Sequence, residues 1–546
     1  MYNYDAIRKA AKPFMTYSQI FGIEPNKDEV ISSIEKSNLE KMLVILSQFC
    51  ALDKNTTENV KNAYLNFFKE TFGMNINKNR DEILFAPQAT LYMFKWLLAH
   101  GKTSNNIGEI IPLDITATLS LHLKIADFLP KEIEVDDFLF HVLSFTKQSN
   151  DGDELARAFY IYTELAKQNE LYGEKEFVDF NAQFQQKNGY TIEQYIAVTF
   201  ALLTLVLPQK VPFDNSWIKH KNKFFGTTKL KDVAPKIIED MALSMQEAKQ
   251  FSKDTINNSW DYLKFLEKPL LKLNEEEFIP FNYDVLSNGL FHGLFHKIRN
   301  CYDAKDQRFL DFFGRPFEKY IEIIVRKALE TSRLNYEYIP EFDYGKKERK
   351  LSSDLYLRLN KDLIIIEAKS ARPTINATVQ GDKESIEKDL NKLYVKPILQ
   401  ADKAFKEILG SDHSYKFEGV ENIYIIAVNI NNFPSIPSFY EKVDKSLEGK
   451  LHPNVKGYFN FSIADVEAMC YLISRKGKKP PIFKILNNKF NSPEVQSFSW
   501  FLEHSHIPIK RSPWVRDQLL KSNEKIYEMS LENPDEALLN LKKRFK

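Results

Sequence analysis

The chain has 546 residues, 75 Lys and Arg against 74 Asp and Glu, and a formal charge of +1 at neutral pH. That length exceeds what one hydrophobic core usually serves, so two or three domains are expected. The near-zero charge supplies no global basic field of the kind that drives nonspecific nucleic-acid binding, so any nucleic-acid affinity has to come from local patches.

The N-terminus, Met1-Tyr2-Asn3-Tyr4-Asp5, lacks the charged-then-apolar order of a signal peptide. Three scattered cysteines, Cys50, Cys301 and Cys470, form neither a disulfide framework nor a zinc spacing, which points to a reducing, cytoplasmic setting. Residues 1–300 read as a mainly α domain with a sensing or positioning role. Helical patterns run over Leu39 to Leu52, Pro87 to Leu98, Glu154 to Gln168 and Val233 to Phe251. Pro87 stands in the first turn of its helix and Gly101 just past its end. Thr191 and Gln194 form a capping box for a helix through Leu207, an apolar run too short to span a bilayer, so no membrane partner is expected. No fixed repeat period supports a solenoid. The aromatic and basic stretch Trp217 to Phe225 reads as a solvated basic loop with two buried phenylalanines, with stacking on nucleic acid as the alternative. His292 and His296 stand one helical turn apart, yet Leu294 and Phe295 between them favour a packed helix face over a zinc site. There is no Gly-rich phosphate loop.

Residues 301–480 read differently. Gly314-Arg315-Pro316 opens an amphipathic helix with Phe317, Ile321, Ile324, Val325 and Leu329 at helical spacing. A basic turn follows, Lys346, Lys347, Arg349 and Lys350, placed where it could grip a nucleic-acid backbone. Leu355, Leu357 and Leu359 then alternate with Asp354, Tyr356 and Arg358 as one strand. Asn360 to Asp362 make a turn, and Leu363 to Ile366 form a continuous apolar strand ending in Glu367-Ala368-Lys369. Period-two alternation puts Glu367 and Lys369 on one face and leaves the Ala368 backbone close by. If the hairpin closes at the turn, Asp354 and Glu367 share one end of the ribbon. Two carboxylates so placed favour a hard divalent cation with oxygen ligands, Mg²⁺ or Mn²⁺, and Lys369 beside them suits phosphodiester hydrolysis. Val395 to Ala404 reads as a helix, Ile423 to Val428 as a strand, and Ala464 to Glu467 as the start of another helix.

This order resembles the PD-(D/E)XK nuclease superfamily over roughly residues 311–473. The proline of the motif's name is absent, Ser353 standing before Asp354. The resemblance implies a restriction-endonuclease-like α/β domain, a mixed central sheet flanked by helices, and a Mg²⁺-dependent endonuclease acting on DNA in preference to RNA, a substrate that the fold leaves open. It implies catalytic Asp354, Glu367 and Lys369, with Gln400 supporting them. It implies metal ligation by Glu318, Asp354, Glu367 and Ala368, with Glu322 as second choice for the helix glutamate. By analogy it also suggests an anti-phage defence or restriction role, a homodimer, and a regulatory protein partner for the helical domain. The alternative is a helical interaction protein whose nuclease-like domain binds nucleic acid or a partner without cutting. Residues 481–546, with Phe498, Trp500 and Phe501 and a helix from Pro513, read as a C-terminal helical appendage.

Overall fold

The computed structural model describes residues 14–544 apart from 74–82, 105, 130–150, 304, 346–348, 379–381, 431–435, 476–480 and 493–496. The chain is mixed α/β and predominantly helical. Among the described residues no helix is long and apolar enough to cross a membrane.

Local signals set most of the N-terminal helices. Helix α1 (Leu39–Phe49) starts where Asn38 accepts a hydrogen bond from the Lys41 amide. Helix α2 (Pro87–His100) has its proline in the first turn. Gly101 ends it for want of space, not for a left-handed backbone, since a Cβ there would stand 2.6 Å from the Leu97 carbonyl oxygen and 2.7 Å from Leu39 Cδ1. Helix α3 (Asp151–Phe159) gives way to a π-helical turn at Tyr160–Glu164 and a 3₁₀ turn at Leu165–Lys167, so the expected helix to Gln168 changes pitch midway. Helix α4 (Ile192–Leu203) opens with the expected capping box between Thr191 and Gln194.

The expected helix from Val233 to Phe251 is instead two, α5 (Ala234–Met241) and α6 (Met245–Thr255). Between them Ala242–Leu243 forms strand β2, and Ser244 with Glu247 makes a second capping box that restarts the helix. Strand β2 joins β1 (Lys219–His220), β3 (Leu270–Lys272) and β4 (Glu277–Pro280) in a small sheet of order β1-β4-β3-β2, which helical periodicity did not anticipate. Trp217 and Phe225 are buried beside it, and the Trp217 indole N–H donates to Ser47 Oγ at 2.9 Å, so this stretch packs as structure. Helices α7 (Tyr283–Arg299) and α8 (Gln307–Phe313) lead to α9 (Arg315–Thr331). Leu294 of α7 is buried, whereas the side chain of His292 lies outside the described set.

The main sheet has order β11-β10-β9-β8-β5. Strand β5 (Glu337–Pro340) is the antiparallel edge; a two-residue ribbon, β6 (Asp343–Tyr344) with β7 (Lys350–Leu351), follows it. Strand β8 (Leu355–Leu359) pairs antiparallel with the central β9 (Asp362–Lys369). Strands β10 (Asn422–Asn429) and β11 (Val455–Phe461) continue parallel to β9. Crossovers between these parallel strands carry α10 (Lys383–Leu390), α11 (Lys396–Leu409) and α12 (Pro437–Leu447). The apolar run of β9 is buried on both faces, as its composition predicts. Ile364 and Ile366 pack with Ile321, Ile324 and Val325 of α9, while Leu363 and Ile365 pack with Ile398, Phe405 and Ile408 of α11.

Helix α13 (Ile463–Ser474) lies against α9, and the remaining chain turns back over the N-terminal region. Helix α14 (Phe498–His504) is held where the Ser499 amide donates to Asp465 at 2.9 Å. Helix α15 (Pro513–Ser530) packs on α3 and α4. The N-terminal helices, one face of the main sheet and the C-terminal helices therefore contribute to one continuous core.

Candidate functional site

The β8–β9 hairpin closes with Leu359 opposite Asp362, so Asn360 and Lys361 form its two-residue loop, and Asn360 takes the left-handed φ of 56° that such turns demand. Leu355 faces Ile366. One step further along, Asp354 stands opposite Glu367, the juxtaposition expected from the sequence. Asp354 Oδ2 accepts the Ala368 N–H at 2.6 Å, and Lys369 Nζ donates to Glu367 Oε1 at 2.6 Å. In an antiparallel ladder a residue's N–H and C=O serve the same neighbour, so the Ala368 carbonyl also faces the β8 edge.

Helix α9 brings the fourth group. Its start is pressed against the end of β9, where a Cβ on Gly314 would stand 2.8 Å from Ser370 Cβ. One turn in, Glu318 is close enough to Asp354 and Glu367 to act on both electrostatically. Arg315 Nη1 donates to Glu318 at 3.0 Å, and Arg315 also lies 3.7 Å from Glu176 of the helical region. Glu322 points elsewhere, paired with Lys319 and Arg326.

Burial and mutual repulsion shape these groups. Asp354 is held well above the usual carboxylate range, first by burial, then by the charges of Glu367 and Glu318, against the opposing Ala368 N–H. Glu367, 3% exposed, is raised by burial, with Lys369 opposing. For Lys369 burial acts to lower the pKa, but Glu367, Asp354 and Glu318 outweigh it and hold the ammonium charged.

Two neighbours were missed by the sequence reading. Glu341, which follows the edge strand β5, donates its backbone N–H to the Asp354 carbonyl at 3.1 Å. Its carboxyl is raised by burial and by Glu318, Glu367 and Asp343, with Arg315 opposing. Pro340 was the available signal, since a proline within a short apolar segment marks an edge strand. Arg315 was read only as a helix-start residue, and its charge lies beside the carboxylates.

Other expected residues lie elsewhere. Gln400 is exposed on α11 and, among the described residues, makes no hydrogen bond to Lys369, whose partner is Glu367. Arg349 pairs with Asp343 at 2.6 Å and Lys350 with Glu407 at 3.1 Å. Lys346 and Lys347 lie outside the described residues.

The donor types suit a hard divalent cation: carboxylates gathered at one strand end, with a main-chain carbonyl adjoining. Among the described residues no three His, Cys, Asp or Glu side chains stand at coordination spacing. Asp354 is occupied by the Ala368 N–H, Glu367 by Lys369 and Glu318 by Arg315, so gathering them around an ion requires these internal partners to yield. No family model matches the chain, and neither a curated protein nor a solved structure matches it significantly.

Proposed function

We propose that the chain is a metal-dependent endonuclease of the PD-(D/E)XK type, hydrolysing phosphodiester bonds in DNA in preference to RNA. The observation that carries this reading is the convergence of Asp354, Glu367 and Lys369 from one hairpin with Glu318 from the preceding helix, at one end of a mixed sheet. The strand order, an antiparallel hairpin continued by parallel β10, supports a restriction-endonuclease-like core. An ordinary surface ion pair would not be built from a glutamate only 3% exposed beside a second acid raised by its charge.

Asp354, Glu367, Glu318 and the Ala368 carbonyl would hold Mg²⁺ or Mn²⁺. The bound ion would supply Lewis-acid polarisation of the phosphoryl group and a more acidic water. Lys369, charged and one-third exposed, is placed to donate to a phosphate oxygen and orient the attacking water. Glu318, one turn into α9 on the same side, adds negative charge that a cation would neutralise.

The test is to incubate the protein and its Lys369→Ala variant with plasmid, linear duplex, single-stranded DNA and RNA, in Mg²⁺, Mn²⁺ or EDTA. Cutting should require the metal, favour DNA, and fall by about a hundredfold or more in the variant. Metal-independent, salt-sensitive binding with no cutting would instead identify a binding module.

A further inference from the structure

Building on that reading, we propose that Asn429 is a positioning residue for Lys369: its side-chain oxygen is the acceptor that takes the ammonium when Glu367 turns from it to a cation. The sheet register sets the two side by side. Strand β10 runs parallel to β9 in unbroken register, with Ala427 beside Glu367 and Asn429 beside Lys369. The Ile430 N–H donates to the Lys369 carbonyl at 3.3 Å, so the ladder holds to that row. Residues paired across strands share a face, as do side chains two apart on one strand. Ile425 and Ala427 pack with Ile365 on the face that α11 covers. Asn429 therefore lies on the face of Glu367 and Lys369, one strand spacing of about 4.8 Å from Lys369.

Half of this amide is already committed. Asn429 is fully buried, and its Nδ2 donates to the Leu393 carbonyl at 3.0 Å. Leu393 belongs to a π-helical turn, Asn391–Val395, and Pro397, four residues beyond it, has no N–H to give to that carbonyl. Turning the amide over would set Oδ1 against the Leu393 oxygen, so its orientation is fixed. The other half is unmet: Oδ1 is buried and, among the described residues, has no hydrogen-bond partner. A buried acceptor without a donor is costly, and such groups mark places where a partner arrives. Lys369 is the charged donor at the neighbouring position, with one of its three N–H bonds committed, to Glu367.

The role follows from the donor count. A lysine released from Glu367 has a flexible four-carbon stem and no fixed direction. Asn429 takes one N–H and leaves two, for a phosphate oxygen and for the attacking water. Being neutral, it holds the ammonium without adding a charge that would compete for the cation.

A crystal structure of the full-length Glu367→Ala variant, grown in EDTA, reads the geometry without any change at Asn429. Lys369 Nζ should lie within about 3.2 Å of Asn429 Oδ1. An ammonium that turns to Asp354 alone, or to solvent, would overturn the inference. Single-turnover cleavage reads the role. Asn429→Ala should slow cutting about tenfold at unchanged substrate affinity, and Asn429→Asp, which keeps an acceptor but cannot donate to Leu393, should recover most of the rate. Thermal midpoints establish that each variant is folded. Equal losses in the two variants would show that Asn429 acts only through Leu393 and would overturn the inference. Cutting that is lost in Lys369→Ala but indifferent to Asn429→Ala would overturn it while leaving the nuclease reading in place. A wild type that cuts nothing would overturn the nuclease reading and this role with it.

Discussion

Arg157 and Asp354 both belong to clusters of buried charge, and the two clusters are built on opposite plans. Arg157 of α3 meets Glu467 of α13 through Nε at 2.7 Å and Nη2 at 3.1 Å, and the Tyr320 hydroxyl of α9 donates to the same carboxylate at 2.7 Å. Arg511 pairs with the neighbouring Asp153. Charges there are matched in number and direction, and the cluster joins the helical region to the helices on the main sheet. At Asp354 carboxylates outnumber cations, and burial, followed by the charges of Glu367 and Glu318, holds Asp354 well above the usual carboxylate range. A matched pair fixes one arrangement, whereas under the proposed function the unmatched one is completed by a cation. Helix α9 carries both Tyr320 and Glu318, two residues apart, so the matched cluster also fixes the helix that supplies the unmatched one.

Three substitutions sharpen that contrast. The largest effect is expected at the matched cluster, where Arg157→Ala leaves Glu467 buried and unpaired and should cost about 3–5 kcal/mol in urea unfolding. Replacing both partners by apolar residues of similar volume should cost much less, and an equal loss would mean that packing, not charge, holds this junction.

Lys95 offers an intermediate case, a single buried cation served by the carbonyls of Thr255, Asn258 and Asp261 at 2.6, 2.6 and 3.1 Å. Burial pushes its pKa from 10.5 down to about 8. The unfolded chain therefore binds more protons than the folded one between about pH 8 and 10.5, so this group's contribution to stability rises with pH across that window, by about 3 kcal/mol in all. The stability difference between wild type and Lys95→Met, measured from pH 7 to 10.5, should grow in favour of wild type; a flat difference would show that the three carbonyls fully compensate the charge.

The smallest effect has the reverse sign. Asp354→Asn keeps an oxygen for the Ala368 N–H and removes the repulsion, so in EDTA it should raise stability by roughly 1 kcal/mol while abolishing cleavage. A destabilised Asp354→Asn would place this site in the matched class.

Much of the site could be read from residue order because hairpin geometry is local. The Asn360 turn, the apolar run Leu363 to Ile366 and period-two alternation are enough to set Asp354 beside Glu367 and Lys369. The family resemblance singled out Glu318 with Glu322 as second choice, and in the structure Glu318 acts electrostatically on Asp354 and Glu367 while Glu322 pairs with Lys319 and Arg326. Gln400 was misplaced because a helix position does not tell how far the helix axis carries a side chain from the strand end. Glu341 was missed because β5 is a four-residue strand with weak periodicity, whose neighbour lies 15 residues downstream in register.

Elements whose signals span a few residues were legible in the chain: the capping box at Thr191, proline-started helices, and the hairpin with its acid, acid and lysine set, whereas the Ser244 box that splits the helix expected over Val233 to Phe251 was not. Tertiary packing settled which distant groups meet: Arg157 with Glu467, 310 positions apart, helix α15 against α3 and α4, and Glu341 beside Asp354. The reason is physical. Local geometry follows from backbone dihedrals and side-chain periodicity, whereas long-range pairing is fixed by the packing of whole faces, for which a single sequence carries no direct mark.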